Sequence, residues 1–296
     1  MNRAPGPILA LALPDDPFVV ALRSAWGGDI WQPVDLAEVG WSVTLGDGAA
    51  GVRLIDRVGG RSWPSEELAG IWFQALPPLR SIEALDERDR QYVIAEVRSS
   101  LDAVWKNAAC PVIGHPRAEG IDAVLGPGPE ARLAMQALGL PTAWMTVGAQ
   151  RIAHLAETGT AVRVTPLGAG GSYWLDPNRS DAEALGDLDR AVALTGETRT
   201  VRVLVVAGDD LRAFTVSASG DTDRIDPTAH DIELAATIRA ASGLAIVLAF
   251  CCQQDGEWRI TRLSAQCPWW LADADDTAAW IAAHLIGRFA AIGVAP

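Results

Sequence analysis

The C-terminal third of the chain limits the choice of fold most. Between Thr200 and Gln266 two pairs of apolar runs meet at tight polar turns. The first, "VRVLVVAGDDLRAFTVSA", turns at Gly208-Asp209-Asp210, and the second, "LAIVLAFCCQQDGEWRITRLSAQ", turns at Gln254-Asp255-Gly256. Gly-Asp and Asp-Gly between β-rich runs supply the positive φ of a two-residue hairpin turn. One helical segment, "DIELAATIRAAS", separates them, so this region reads as an antiparallel sheet carrying a helix. The second hairpin has an odd gap: from Gly243 to Trp270 the only carboxylates are Asp255 and Glu257, both at the turn.

The first 150 residues alternate. "PILALALP" reads as a strand, and "DDPFVVALRSAW" as a helix with Asp15 or Asp16 as N-cap and Pro17 in its first turn. "IWQPVDL" follows as a strand, "WSVTLGD" with "GVRLIDRVGGRSW" as a hairpin, and "LAGIWFQALPP" as a buried strand. Apolar residues at helical spacing from Ile82 to Trp105 predict the longest helix. "CPVIGHP" is a short strand, "PGPEARLAMQALGLP" a helix ending at Gly139, and "TAWMTV" a strand. Such alternation favours an α/β lobe with a mainly parallel sheet. Beyond it, "RIAHLAE" reads as a short helix, "AVRVTPL" as a strand, and "GAGGS" and "DPNRSDAEALGD" as a loop and a polar acidic stretch.

Composition narrows function mainly by exclusion. The 296 residues carry a formal charge of −13, which excludes a nucleic-acid surface built on clustered cations. No apolar run reaches the roughly 18 residues needed to span a bilayer. "PILALALP" is the nearest thing to a signal-peptide core, but only Arg3 precedes it and no small-residue cleavage site follows, so we expect a cytoplasmic protein. Cys110, Cys251, Cys252 and Cys267 lack the spacing of a zinc or redox pair and read as buried thiols. His115, His154, His230 and His284 form no metal or nucleophile motif. Of the 24 basic residues only Lys106 is lysine, so chemistry that needs two lysines is excluded.

The order of elements resembles the ATP-grasp superfamily, most closely the RimK-like ligases that include the maturases of graspetides. "GIWFQALPP" stands where that family has Trp-Tyr-Arg-Arg-Pro, and "VIGHP" where it has Ile-Asn-x-Pro. "GLPTAWMT" is similar to its Gly-Leu-x-Val-Pro-x-Thr-Leu-x-Thr. Thr200 to Asp226 is similar to its Asp-Ile-Arg hairpin, and the last hairpin to its Mg²⁺-binding hairpin. The resemblance covers nearly the whole chain and implies an α/β (α+β), ATP-grasp-like fold. It divides the chain into an N-terminal α/β domain at 1–116, a lid-like subdomain at 117–198 and a C-terminal subdomain at 199–296.

The resemblance also implies a ligand set. Such ligases hold two Mg²⁺ ions on an Asp of the first strand and a Glu and an Asn of the second, hard oxygen ligands suited to the ion. Matched through the Asp255-Gly256 turn, these positions fall on Phe250, Arg262 and Ser264. The phosphate-gripping lysines have no counterpart, with Arg132 and Arg163 the nearest substitutes. Arg202 and Arg224 match arginines linked to the acyl phosphate or substrate carboxylate, and salt bridges to neighbouring acids are an equal reading for both. Gly168, Gly170 and Gly171 stand in the place of the phosphate-covering loop. Two functions remain open. One is a degenerate pseudo-ligase, without metal and with ATP possible but its lysines and Mg²⁺ ligands missing, that binds a peptide or a partner protein in a homo- or hetero-oligomer. The other is an active ATP-dependent carboxylate-amine ligase using Arg132, Arg163 and Arg202. A third expectation, an unrelated α/β binding protein, stands apart from the family.

Overall fold

The computed structural model describes residues 6–46, 49–75, 77, 79–114, 135–143, 145–147, 152, 154, 161–166, 173–174, 191–196, 200–217 and 219–290. Two compact units account for the chain. One comprises Met1–Gly120 with Leu244–Ile246 and Ala265–Pro296, and the other Ile121–Gly243 with Val247–Ser264.

The first unit opens β1 (Ile8–Leu11), α1 (Pro17–Ala25), β2 (Ile30–Trp31). Asp16 caps α1 by accepting from the Phe18 and Val19 amides at 2.9 and 3.3 Å, with Pro17 in the first turn. The second strand is shorter than "IWQPVDL" promised. Pro33 offers no N–H, and Asp35 then caps a 3₁₀ turn at Leu36–Glu38. β3 (Val39–Gly46) and β4 (Ala49–Asp56) form the expected hairpin, and β5 (Ser62–Pro64) adds a third antiparallel strand to it. β6 (Gly70–Phe73) then precedes α2 (Glu87–Asn107) and β7 (Val112–Gly114).

Strands order as β2-β1-β6-β7, all parallel. Every residue of β1 is buried, which is why it reads as an unbroken apolar run. α2 starts five residues later than the Ile82 expected from apolar spacing, because Asp86 caps it by accepting from the Asp89 amide at 2.9 Å. Ile82 instead closes a 3₁₀ turn, Arg80–Ile82. Leu101 and Val104 of α2 join Leu9, Leu11, Leu54, Ile71 and Phe73 in one core. Gly114 adopts φ +80°, where a Cβ would meet the Phe73 carbonyl oxygen at 2.1 Å. Only glycine fits both the left-handed backbone and the close approach.

The second unit contains two sheets built around antiparallel strand pairs. β8 (Met145–Val147), β9 (Ala161–Pro166), β10 (Tyr173–Trp174) and β11 (Ala191–Gly196) order as β10-β9-β11-β8. β12 (Val201–Ala207), β13 (Asp210–Val216), β14 (Thr222–Ile225), β15 (Ile246–Gln254) and β16 (Glu257–Ser264) order as β14-β13-β12-β15-β16. α3 (Ala229–Ser242) links the two hairpins and ends at Gly243, φ +62°. Pro141 to Ala143 runs along the free edge of β16: the Ile260 amide donates to the Pro141 carbonyl at 2.7 Å, and the Ala143 amide to the Ile260 carbonyl at 2.8 Å.

After β16 the chain returns to the first unit. α4 (Thr277–Ala290) packs on α1, with Trp26 edge-on to Phe289 at 6.3 Å between ring centres. Gln74, at the exit of β6, donates to the Cys267 carbonyl at 2.7 Å and accepts from the Cys267 amide at 3.2 Å. No helix among the described residues is long and apolar enough to cross a membrane. "GAGGS" and "DPNRSDAEALGD" lie outside the described residues, and of "RIAHLAE" and "PGPEARLAMQALGLP" only the helical residues Ile152, His154 and 135–137, the turn at 138–139, and Leu140 and Pro141 lie within them.

Candidate functional site

The last hairpin is built by its turn. Asp255 and Gly256 both take positive φ, +55° and +77°, so the turn pairs Gln254 with Glu257 and fixes the register of β15 and β16 from that end. That register runs through Cys252↔Arg259 and Cys251↔Ile260, then shifts, and resumes at Phe250↔Arg262 and Leu248↔Ser264. Thr261 is the extra residue of the bulge, its hydroxyl donating to the Phe250 carbonyl at 2.9 Å.

The hairpin brings three sequence-predicted positions together. Phe250 lies opposite Arg262, and Leu248, two residues before it, lies opposite Ser264, so Phe250, Arg262 and Ser264 share one face. Phe250 is 5% exposed and Ser264 is buried. The Arg262 guanidinium sits 4.2 Å from the centre of the Phe250 ring, a cation–π contact worth on the order of 1 kcal/mol. These side chains do not suit Mg²⁺. A benzyl group has no donor atom, a guanidinium repels the ion, and one neutral hydroxyl is a poor substitute for two carboxylates. Among the described residues no group of three or more His, Cys, Asp or Glu side chains is arranged to hold a metal.

Arg202 is engaged elsewhere. Its Nη1 donates to both carboxylate oxygens of Asp231, at 3.1 and 3.2 Å, and Asp231 is fully buried. The same carboxylate accepts from the Thr228 amide and hydroxyl, each at 2.7 Å, while the Asp231 amide donates back to the Thr228 hydroxyl in the capping box of α3. The Arg202 guanidinium also lies 4.7 Å from the Trp258 ring centre. Sequence reasoning did not single out Asp231 or Trp258. Thr228 three residues before Asp231 is the capping-box spacing and was the available signal for the former.

Strand pairing separates the two family-matched arginines. Arg202 pairs with Thr215 and Thr215 with Asp223, whereas Arg224 pairs with Phe214 and Phe214 with Val203. Arg202 and Arg224 therefore point to opposite faces of the sheet. Arg163 lies within β9, paired with Leu194 and Trp174. Arg132, Gly168, Gly170 and Gly171 lie outside the described residues.

None of the four cysteines is in a disulfide, and all are buried. Burial pushes the Cys110 thiol up to about 12 and raises those of Cys251 and Cys267 further, so none of these three is a poised nucleophile.

No family model matches the chain, and neither does any curated protein. Solved structures do. The macrocyclase MdnC of Microcystis aeruginosa MRC, bound with precursor peptide MdnA, superposes at a TM-score of 0.67 over 95% of this chain and 99% of that one, at 13% identity. The chain has the fold of an ATP-grasp ligase. The ATP-grasp ligase PsnB, complexed with a phosphomimetic variant of its minimal precursor, Mg and ADP, gives 0.68 over 98% and 99% of the two chains at 18% identity. A RiPP-associated ATP-grasp ligase of Chryseobacterium gregarium, in complex with ADP and a leader and core peptide, gives 0.63 over 98% of each at 15% identity. The ATP-grasp-like fold expected from the order of motifs is thus recovered over nearly the full length of the chain.

Proposed function

We propose that this chain is a catalytically degenerate ATP-grasp protein, a pseudo-ligase that binds a peptide or a partner protein in the modification of ribosomally made peptides. The observation that carries the reading is the stacking of Arg262 on Phe250, on the hairpin face where the fold's ligases need two carboxylates. The solved neighbours are structures complexed with precursor peptides, which supports a peptide as the ligand here. The ion pair of Arg202 Nη1 with the buried Asp231 counts against the active-ligase alternative, since it ties one of the three arginines that mechanism would use to an internal carboxylate. A cytoplasmic location, assembly into a homo- or hetero-oligomer, and three lobes at 1–116, 117–198 and 199–296 belong to the same proposal.

Calorimetric titration with ATP, with and without Mg²⁺, tests it. Absence of Mg²⁺-dependent binding is the expected result. Micromolar Mg²⁺-dependent affinity, together with ADP release in the presence of a precursor-type peptide, would overturn the pseudo-ligase.

A further inference from the structure

Residues three apart on an undisturbed strand point to opposite faces. The bulge at Thr261 changes this for Arg259 and Arg262. Arg259 pairs with Cys252 and Arg262 with Phe250, two positions apart on β15, so both guanidinium groups lie on one face of the hairpin. Arg259 Nε is buried and has no hydrogen-bond partner. A buried donor without an acceptor is costly to leave unmade, and a guanidinium N–H is suited to an oxyanion.

The charge of this face extends beyond the hairpin. Arg202 marks the opposite face: it stacks on Trp258, which pairs with Gln253, and Gln253 is one residue out of phase with Cys252. Arg224 and Arg212 lie on the face away from Arg202, since Arg224 pairs with Phe214 and Arg212 sits two residues from Phe214. Four arginines thus share a face on a chain whose formal charge is −13. The acids of these strands on the same face, Asp210 and Glu257, are both at turn ends.

Resting on the reading that this hairpin holds no metal, we propose that β16 carries an oxyanion site instead, in which Arg259 and Arg262 grip a carboxylate or phosphoryl group directly. The sign of the ligand is inverted relative to the fold's Mg²⁺ site: an anion is bound where a cation would sit. Guanidinium forks suit both oxyanions, and a divalent ion adds nothing to the grip.

The test uses the full chain in EDTA with two probes, inorganic tripolyphosphate and a fluorescently labelled peptide of alternating Glu and Ala. Binding of either probe is expected to survive EDTA, and which probe binds identifies the phosphoryl or carboxylate source. R259Q combined with R262Q should weaken it at least tenfold with the near-ultraviolet circular dichroism unchanged. Arg259→Lys, which keeps the charge but removes Nε–H, should weaken it by a smaller factor and protects the test should the double variant misfold. No binding of either probe, binding that requires Mg²⁺, or binding that both variants leave unaltered would each overturn the site. Loss of the oxyanion site with no Mg²⁺-dependent ATP binding leaves the pseudo-ligase standing, whereas Mg²⁺-dependent turnover removes the pseudo-ligase itself.

Discussion

Arg202 reaches across 29 residues of sequence to place Nη1 against both oxygens of Asp231, a carboxylate with no exposure to solvent. The pair ties β12 to the first turn of α3. Removing the cation alone would leave Asp231 buried and uncompensated, at a cost of about 3–5 kcal/mol. We therefore expect Arg202→Met to lower the urea midpoint sharply, and Arg202→Met with Asp231→Asn to lose less than the sum of the single losses, by about 1 kcal/mol or more. Additive losses would show that the two side chains do not support each other.

The hairpin face predicts the outcome of restoring a metal. Phe250→Asp alone places a carboxylate opposite Arg262, where it forms an ion pair rather than an ion site. Its Tm should not respond to Mg²⁺. The triple change Phe250→Asp, Arg262→Glu and Ser264→Asn supplies the full oxygen set on one face, and Mg²⁺ at about a hundredfold excess over Kd would then add about 2.7 kcal/mol of stability. Thermal scans with and without MgCl₂ distinguish the two proteins. A Mg²⁺ response in the single variant would show that Arg262 does not control the site.

Local chemistry explains which features were legible in sequence. Turn glycines, Asp caps and unbroken apolar runs act within a few residues, so β1, α1, both C-terminal hairpins and α3 were readable directly. Apolar spacing misplaced the start of α2, because Ile82 and Leu85 follow helical spacing while Asp86 sets the boundary. Side-chain facing was harder to read. One unpaired residue, Thr261, reverses the direction of everything beyond it, so Arg259 and Arg262 read as opposed in sequence and lie together in the fold. The partnership of Arg202 with Asp231 depends on a helix docking onto a strand, which no local signal specifies.

Burial makes a prediction about the cysteines. Cys110, Cys251, Cys252 and Cys267 are each less than a tenth exposed, and burial raises the thiols of Cys110, Cys251 and Cys267 above the ordinary range. Since only the thiolate attacks, the native protein should show almost no fast reaction with Ellman's reagent near neutral pH. In guanidinium chloride all four should titrate. A thiol that reacts rapidly in the native protein would place one of these side chains at an opening the fold does not provide.

Asp16 links stability to pH. Burial raises its carboxyl above the ordinary value of 3.8, against the opposing effect of the Phe18 and Val19 amides and of Gln74, which donate to it. Between the unfolded and the folded pKa the native protein binds more protons than the unfolded chain, so this group makes stability fall as pH rises through that window. Below about 3.8 both states are protonated and the penalty vanishes. Asn caps a helix about as well as Asp and cannot ionise. The stability of Asp16→Asn relative to the native sequence should therefore rise with pH from about 3.8 upward and level off once Asp16 is ionised in the folded protein. Chemical denaturation of both proteins across a pH series measures this difference directly. A difference that shrinks as pH rises would mean that the amides of the first turn, rather than burial, govern this carboxyl.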